Sequence, residues 1–252
     1  MLNDIVEYIK STVKNNTRSR RTDKLSLHHT ATGAYYLPSD ARKDIIAKAI
    51  RNNKIFDEKI YEVAKIYIRP GSAVLDVGSN FGQMAVLFSK LTGENGLVHA
   101  FEADDFVFSI LVKNALENSK NITTHFYAVH NKSHEILYFP VQDFKRFNTY
   151  GSYGIDYVHG KGRPIETLAI DDLAIDRPIS FMKIDVQGGD LFALQGALET
   201  IKRNRMPIIF EYEYLFEDEL NLSFQEYVDF VSSIDYHFEK VIYGQNYLIL
   251  PN

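Results

Sequence analysis

The chain of 252 residues contains no cysteine. That absence excludes disulfides, zinc–thiolate sites and thiol catalysis together, and it fits a reducing cytosol. Long apolar runs are also missing: none approaches the roughly 18 residues needed to span a bilayer. The N-terminal stretch MLNDIVEYIKSTVKNN is amphipathic and carries acids, unlike a signal or transit peptide. Basic charge is in short supply. Lys+Arg 28 against Asp+Glu 33 gives a formal net charge of -5, whereas a nucleic-acid partner would favour a basic face. The one basic cluster, Arg18–Lys24, reads as a solvated loop. Internal repeats and low-complexity segments are absent. What remains is an ordinary globular composition, 45% hydrophobic and 24% charged, long enough for one large domain with an extension.

Residues 1–70 read as a helical extension or cap. Ser39-Asp40 is placed to cap a helix through Ile45, Ile46, Ala49 and Ile50, and a second helix is expected from about Asp57 to Ile68. Pro70-Gly71 breaks that pattern, and residues 71–252 form the main domain. There strands are expected at 73–77, 97–101, 122–128, 181–186 and 207–212, with helices between them. One of those helices is expected to run unbroken from Asp190 to Arg203. Residues 135–168 interrupt the rhythm with a local hairpin (EILYFPV) and a loop rich in Gly and Tyr. Gly244-Gln245-Asn246 separates two last strands, a hairpin signal. Alternation of this kind implies an α/β fold, a mostly parallel sheet with helices on both faces, to which the terminal hairpin adds an antiparallel strand.

The run AVLDVGSNFGQ, Ala73–Gln83, carries the most chemistry. It reads as a buried strand ending in an acid, then a glycine turn, then a helix, the layout that binds nucleoside cofactors in open α/β sheets. A dinucleotide fingerprint needs G-x-G-x-x-G, but here Asn80 stands where the middle glycine would be. A P-loop is excluded because no Gly-Lys-Ser/Thr follows. The turn therefore suits a nucleoside with an amino-acid tail and no phosphates, S-adenosylmethionine. Asp76 would favour its ammonium and sulfonium charges, and the turn Gly78-Ser79-Asn80-Phe81-Gly82 would approach its carboxylate. Glu102, with Ala103 next to it, lies roughly twenty residues beyond that turn, placed to accept hydrogen bonds from ribose hydroxyls.

Two further acids, Asp185 and Glu211, close later strands and would converge on the reacting methyl, with Lys183 on the same side as Asp185. Such a pair could act as general base for an acceptor hydroxyl, could hold a divalent ion that acidifies it, or could form a structural ion pair with Lys183. The loop Phe144–Arg163 offers Arg146, Tyr150, Tyr153 and His159 to a polar, anionic or sugar-like acceptor. The His28-His29 and Tyr35-Tyr36 pairs read as solvated or packed rather than catalytic.

Five blocks in order, DVGSNFGQ, FEADDFVFSILVKNALEN, ETLAIDDL, FMKIDVQGGDLFALQGA and PIIFEYE, together resemble the FkbM family of S-adenosylmethionine-dependent methyltransferases. The resemblance covers roughly Gly71 to Tyr214, with YYLPSD and DIIAKAI upstream similar in style. It implies a class I methyltransferase (Rossmann-like) fold with a seven-stranded sheet, and O-methyl transfer to a sugar or surface-polysaccharide hydroxyl in the cytoplasm. It also implies a small-molecule or glycan acceptor as partner, and leaves a homo-oligomer open. Carried over, Asp76, Gly78, Asn80, Gly82 and Glu102 fall on the cofactor side, and Lys183, Asp185 and Glu211 on the reaction side. This chain departs from the family's usual D-V-E-G-x-E run: Gln187 and Asp190 replace the two glutamates. Asp190 could still cap the following helix. Two other readings stay open, an NAD-dependent oxidoreductase on the same sheet and a non-catalytic module that keeps the fold.

Overall fold

The computed structural model describes residues 24–39, 41–141 and 149–252. The Arg18–Lys24 cluster, apart from Lys24 itself, lies outside them, as do the N-terminal stretch, Asp40, Lys145 and Arg146. In chain order the elements begin with strands β1 (Leu25–Thr30) and β2 (Gly33–Pro38), then helices α1 (Ile45–Arg51) and α2 (Glu58–Tyr67). There follow β3 (Ala73–Val77), α3 (Gln83–Thr92), β4 (Leu97–Glu102), α4 (Asp105–Asn118) and β5 (Ile122–Phe126). Short strands β6 (Ala128–Val129), β7 (Ile136–Phe139) and β8 (Arg163–Leu168) precede β9 (Ile179–Ile184), α5 (Asp190–Gln195) and α6 (Leu198–Asn204). The chain continues with β10 (Ile208–Glu211), α7 (Tyr214–Glu219), α8 (Phe224–Ser233), β11 (Tyr236–Tyr243) and β12 (Asn246–Pro251).

Seven strands form the central sheet in the order β11-β12-β10-β9-β3-β4-β5. β4 and β9 flank β3 in parallel, and β12 runs antiparallel between β10 and β11. Counting these seven strands along the chain, the order is 3-2-1-4-5-7-6, that of the class I methyltransferase fold. The central strands are apolar at nearly every position because both faces are covered. On one face Leu75, Val77, Ile184 and Phe210 pack with Leu191, Leu194, Tyr227 and Val231 of the later helices. On the other, Val74, Val98, Phe181 and Leu248 pack with Ile60, Ala64, Phe88 and Leu111 from α2, α3 and α4.

The extension differs from its helical expectation. Residues 25–38 are an antiparallel hairpin, followed by the two expected helices. The hairpin needs a partner for the free edge of β2, and two asparagines of α4 supply it. Asn114 Oδ1 accepts from Tyr36 N–H at 2.6 Å while its Nδ2 donates to Phe81 O at 2.8 Å. Asn118 exchanges both bonds with the Ala34 backbone, at 2.8 and 2.7 Å. Asn114 is fully buried, so Asn114→Ala orphans an N–H and a carbonyl, each worth about 1–3 kcal/mol when unpaired. A fall in melting temperature well beyond that of an exposed Asn→Ala control is expected; a difference within error would show that the hairpin does not depend on this contact.

The caps and breaks also differ in detail. Asp44 begins α1: its Oδ1 accepts from Ala47 N–H at 2.7 Å. The helix expected from 190 to 203 divides into α5 and α6. A Cβ on Gly196 would fall 2.0 Å from the His130 carbonyl oxygen, so the chain bends where that backbone crosses. Instead of folding back locally, residues 136–139 pair antiparallel with residues 163–166 of β8.

Candidate active site

The carboxyl ends of β3, β4, β9 and β10 open into a cavity of about 280 Å³. Ile45, Ile46, Phe56 and Asp57 from the extension, residues 149–153 with Ile155 and Tyr157, and Tyr243 and Asn246 from the terminal hairpin close it. The first wall is the turn after β3. Gly78 and Gly82 have φ of 79° and 84°, and Asn80 takes φ 50°. Asparagine tolerates this left-handed region better than most side chains, so the turn keeps its shape without the missing glycine. Asn80 N–H donates to Glu102 Oε2 at 2.9 Å, and Asp104 N–H to Oε1 at 2.8 Å. Burial raises the Glu102 pKa to about 7 despite these donors, with the Asp104 charge adding to the rise. Phe101, Ala103, Tyr127, Ala128 and Val129 continue this wall as a largely apolar shelf.

Asp76 and Lys183 are register partners on adjacent strands, so their side chains share a face. Both are almost fully buried and neither lines the cavity. Ser79 Oγ donates to the Asp76 carbonyl oxygen at 2.7 Å, and no hydrogen bond reaches the Asp76 carboxylate oxygens among the described residues. Burial raises the Asp76 pKa against the opposing pull of the Lys183 charge. Burial also disfavours the Lys183 ammonium, but Asp185, Asp76 and Asp57 outweigh it and its pKa rises. Lys183 Nζ donates to Asp185 Oδ2 at 3.1 Å. Of the cofactor-side residues expected from sequence, Gly78, Asn80, Glu102 and Ala103 therefore meet the cavity, while Asp76, Ser79 and Gly82 support it from behind.

At the far end, Asp185 and Glu211 converge as expected. Gln187 joins them: its Nε2 donates to Asp185 Oδ1 at 3.0 Å and to Glu211 Oε2 at 3.2 Å. Asp190 opens α5, with Gly189 as its N-cap. Its carboxylate accepts from Val186 N–H at 3.2 Å and Glu211 N–H at 3.1 Å, bracing the ends of β9 and β10 against each other. Burial raises the Glu211 pKa, and the charges of Asp185, Glu213 and Asp190 add to it. Glu213, also on the cavity wall, is raised to about 7 by burial and then by Asp185.

Tyr150 and Tyr153 line the cavity. Tyr150 is held there by Phe81, edge-on with ring centroids 5.7 Å apart, and by its N–H donating to Asp44 Oδ2 at 2.7 Å. His159 is not brought to the site: its N–H bonds Asp156 Oδ1 at 2.8 Å on the exposed surface. None of the described histidines lines the cavity. Arg146, expected to meet the acceptor, lies outside the described residues. Sequence reasoning missed Asp57, Tyr127, Glu213, Tyr243 and Asn246. Asp57 reads as an ordinary helix cap, yet the Tyr243 hydroxyl, 186 residues away, donates to its carboxylate. No local pattern announces such a pair; only Glu213, two residues past Glu211, carried a signal by alternation.

The family described as Methyltransferase FkbM domain matches residues 76–238, more than half of the chain. The chain belongs to the FkbM methyltransferase family. Among curated proteins, 31-O-demethyl-FK506 methyltransferase FkbM of Streptomyces tacrolimicus is 38% identical over 65 residues, which is 26% of this chain and 25% of that protein. The match thus spans about a quarter of the length of this curated FkbM relative. Among solved structures, the FkbM methyltransferase of Methylobacillus flagellatus KT is 16% identical, with a TM-score of 0.48 over 81% of this chain and 59% of that one. An S-adenosylmethionine-dependent O-methyltransferase of Thermotoga maritima is 12% identical, with a TM-score of 0.45 over 91% and 84%. Both likenesses are distant; the sheet order stands on its own. Among the described residues of this FkbM-family chain, no helix is long and apolar enough to cross a membrane.

Proposed function

We propose that this FkbM-family chain is an S-adenosylmethionine-dependent O-methyltransferase acting on a hydroxyl of a polar, sugar-like small molecule or glycan in the cytosol. The observation that carries the reading is one cavity holding Glu102 at one end and the Asp185–Glu211 pair at the other. The residues fit the cofactor: an apolar shelf for a flat base, a carboxylate for ribose hydroxyls, and acids toward a cationic tail. When bound, S-adenosylmethionine supplies a methyl group already activated on a sulfonium sulfur. The protein's tasks are alignment and removal of one proton, and alignment can supply a large share of the rate. Asp185, held by Lys183 and Gln187, would accept the proton that the acceptor hydroxyl gives up, leaving the oxygen free to receive the methyl group. The curated relative is named for transfer to an oxygen, which supports the same atom here. Tyr150, Tyr153 and Tyr157 line the same cavity and offer an acceptor aromatic faces suited to a polyol.

Titration calorimetry with S-adenosylhomocysteine, with NAD as control, tests the cofactor. Binding of the homocysteine product alone is expected; binding of NAD instead would restore the oxidoreductase reading. The pH dependence tests Glu102. Ribose hydroxyls donate to the ionised carboxylate, so binding favours proton loss and affinity rises with pH. With a free pKa of about 7, affinity should rise about tenfold between pH 6 and 8. Glu102→Gln should flatten that profile; a wild-type profile already flat would remove Glu102 from the cofactor contact.

A further inference from the structure

Asp185 and Glu211 bring two carboxylates together at the reacting end of the cavity, the arrangement that ordinarily invites a divalent cation. Among the described residues, however, no group of three His, Cys, Asp or Glu side chains is arranged to hold a metal ion. The third position belongs to Gln187, whose nitrogen, not its oxygen, faces the pair. In that orientation the amide nitrogen donates to one oxygen of each acid.

The backbone commits Gln187 to this place. Its φ of 56° is one that residues with a side chain rarely adopt, and Gly188 follows at 90°. Across the loop, a Cβ on Gly154 would lie 2.3 Å from the Gln187 carbonyl oxygen, so the segment carrying the tyrosines seats directly on this turn. Strain at a single non-glycine position persists only where its surroundings hold it. Here the two hydrogen bonds of the side chain and the close packing of the loop do so. Asp190 fixes the distance the amide must bridge, because it binds the backbone of both strands.

Resting on the reading of Asp185 and Glu211 as the reacting end, we propose that Gln187 is a positioning residue. It ties the two carboxylates into one unit by donating to each, and it occupies the place between them that a divalent cation would take, so that transfer by this chain needs no metal. Glutamate at this position would turn the donor into a third carboxylate and convert the same geometry into a cation site.

The test is Mn²⁺ titration of the full chain followed by electron paramagnetic resonance, on wild type, Gln187→Glu, Gln187→Glu with Asp185→Asn, and Asp185→Asn alone. Each is also titrated with S-adenosylhomocysteine. Wild type is expected to take up no Mn²⁺ that Asp185→Asn abolishes. Gln187→Glu should bind one Mn²⁺ at least about tenfold more tightly than wild type, and lose it with Asp185→Asn, because Mn²⁺ prefers carboxylate oxygens. Methyl transfer from labelled S-adenosylmethionine into a pool of hydroxylated metabolites and glycans should survive chelation in wild type, and the Asp185-dependent gain of Mn²⁺ in Gln187→Glu is the outcome no purely structural role predicts. Wild-type uptake of one Mn²⁺ lost in Asp185→Asn, or chelator-sensitive transfer restored by Mn²⁺, would overturn the proposal. So would a Gln187→Glu protein that binds S-adenosylhomocysteine and ignores Mn²⁺. Should Gln187→Glu fail to fold, the comparison of wild type with Asp185→Asn decides alone. Silence of wild type toward S-adenosylhomocysteine would count against the underlying methyltransferase reading instead.

Discussion

Asp185→Asn is expected to lower methyl transfer by about 10²–10⁴-fold, the range a positioned general base contributes, while S-adenosylhomocysteine affinity stays within about threefold of wild type. The split follows from where the residue sits. Asp185 belongs to the acidic group with Gln187 and Glu211, whereas the contacts expected for ribose and base lie at Glu102 and the apolar shelf. Asparagine keeps the size of the side chain and one oxygen, so the shape of the cavity survives. It cannot keep the charge that makes the group a base. It also places an amide nitrogen among the Lys183 ammonium and the Gln187 amide, both donors, so one contact must be given up. Lys183 is deeply buried and still faces Asp76, which limits the structural damage. Labelled methyl transfer beside calorimetry separates the two effects. Undiminished transfer would remove Asp185 from proton removal; lost S-adenosylhomocysteine binding would make it a cofactor contact.

Gly78→Ala is expected to be the most damaging single substitution in the cofactor half. An added Cβ would fall 1.8 Å from the Asp185 carbonyl oxygen and 2.7 Å from its carbonyl carbon, both backbone atoms with no rotamer to escape into. The left-handed φ of 79° adds a cost of its own, about 1–2 kcal/mol for a residue with a side chain. Relief requires β3 and β9 to separate at their carboxyl ends, which pulls Asp185 away from Gln187 and opens the cavity floor. A loss of about 4 kcal/mol or more belongs to the exceptional class of point substitutions. It corresponds to a melting temperature lower by about 8–16 °C in a chain of this size. Gly71 provides the control: its φ is 80°, yet a Cβ there meets nothing within 4 Å. Gly71→Ala therefore measures the backbone strain alone. Equal melting temperatures for the two variants would refute the clash, and retained micromolar binding of S-adenosylhomocysteine by Gly78→Ala would show that the turn does not shape the site.

The sequence by itself determined the sheet and half of the site. Apolar strands flanked by helices of 3.6-residue period can bury both faces only as a mostly parallel sheet, so Ala73–Val77 and its neighbours were legible from pattern alone. Because such strands point the same way, their terminal acids, Glu102, Asp185 and Glu211, had to gather at one edge. What pattern could not carry were contacts made across long chain separations. The hairpin at residues 25–38 is stabilised by two asparagines of α4, about 80 residues on, so its own composition gave little reason to expect strands. His159 lies in a suggestive loop, but a local bond to Asp156 holds it at the surface. Asp57 and Tyr243 meet only because α2 and the last hairpin pack on the same sheet face. The change from glutamate to Gln187 was visible as a departure, but its consequence was not. An amide can donate or accept, and only the placement of Asp185 and Glu211 on either side decides which of its ends faces inward.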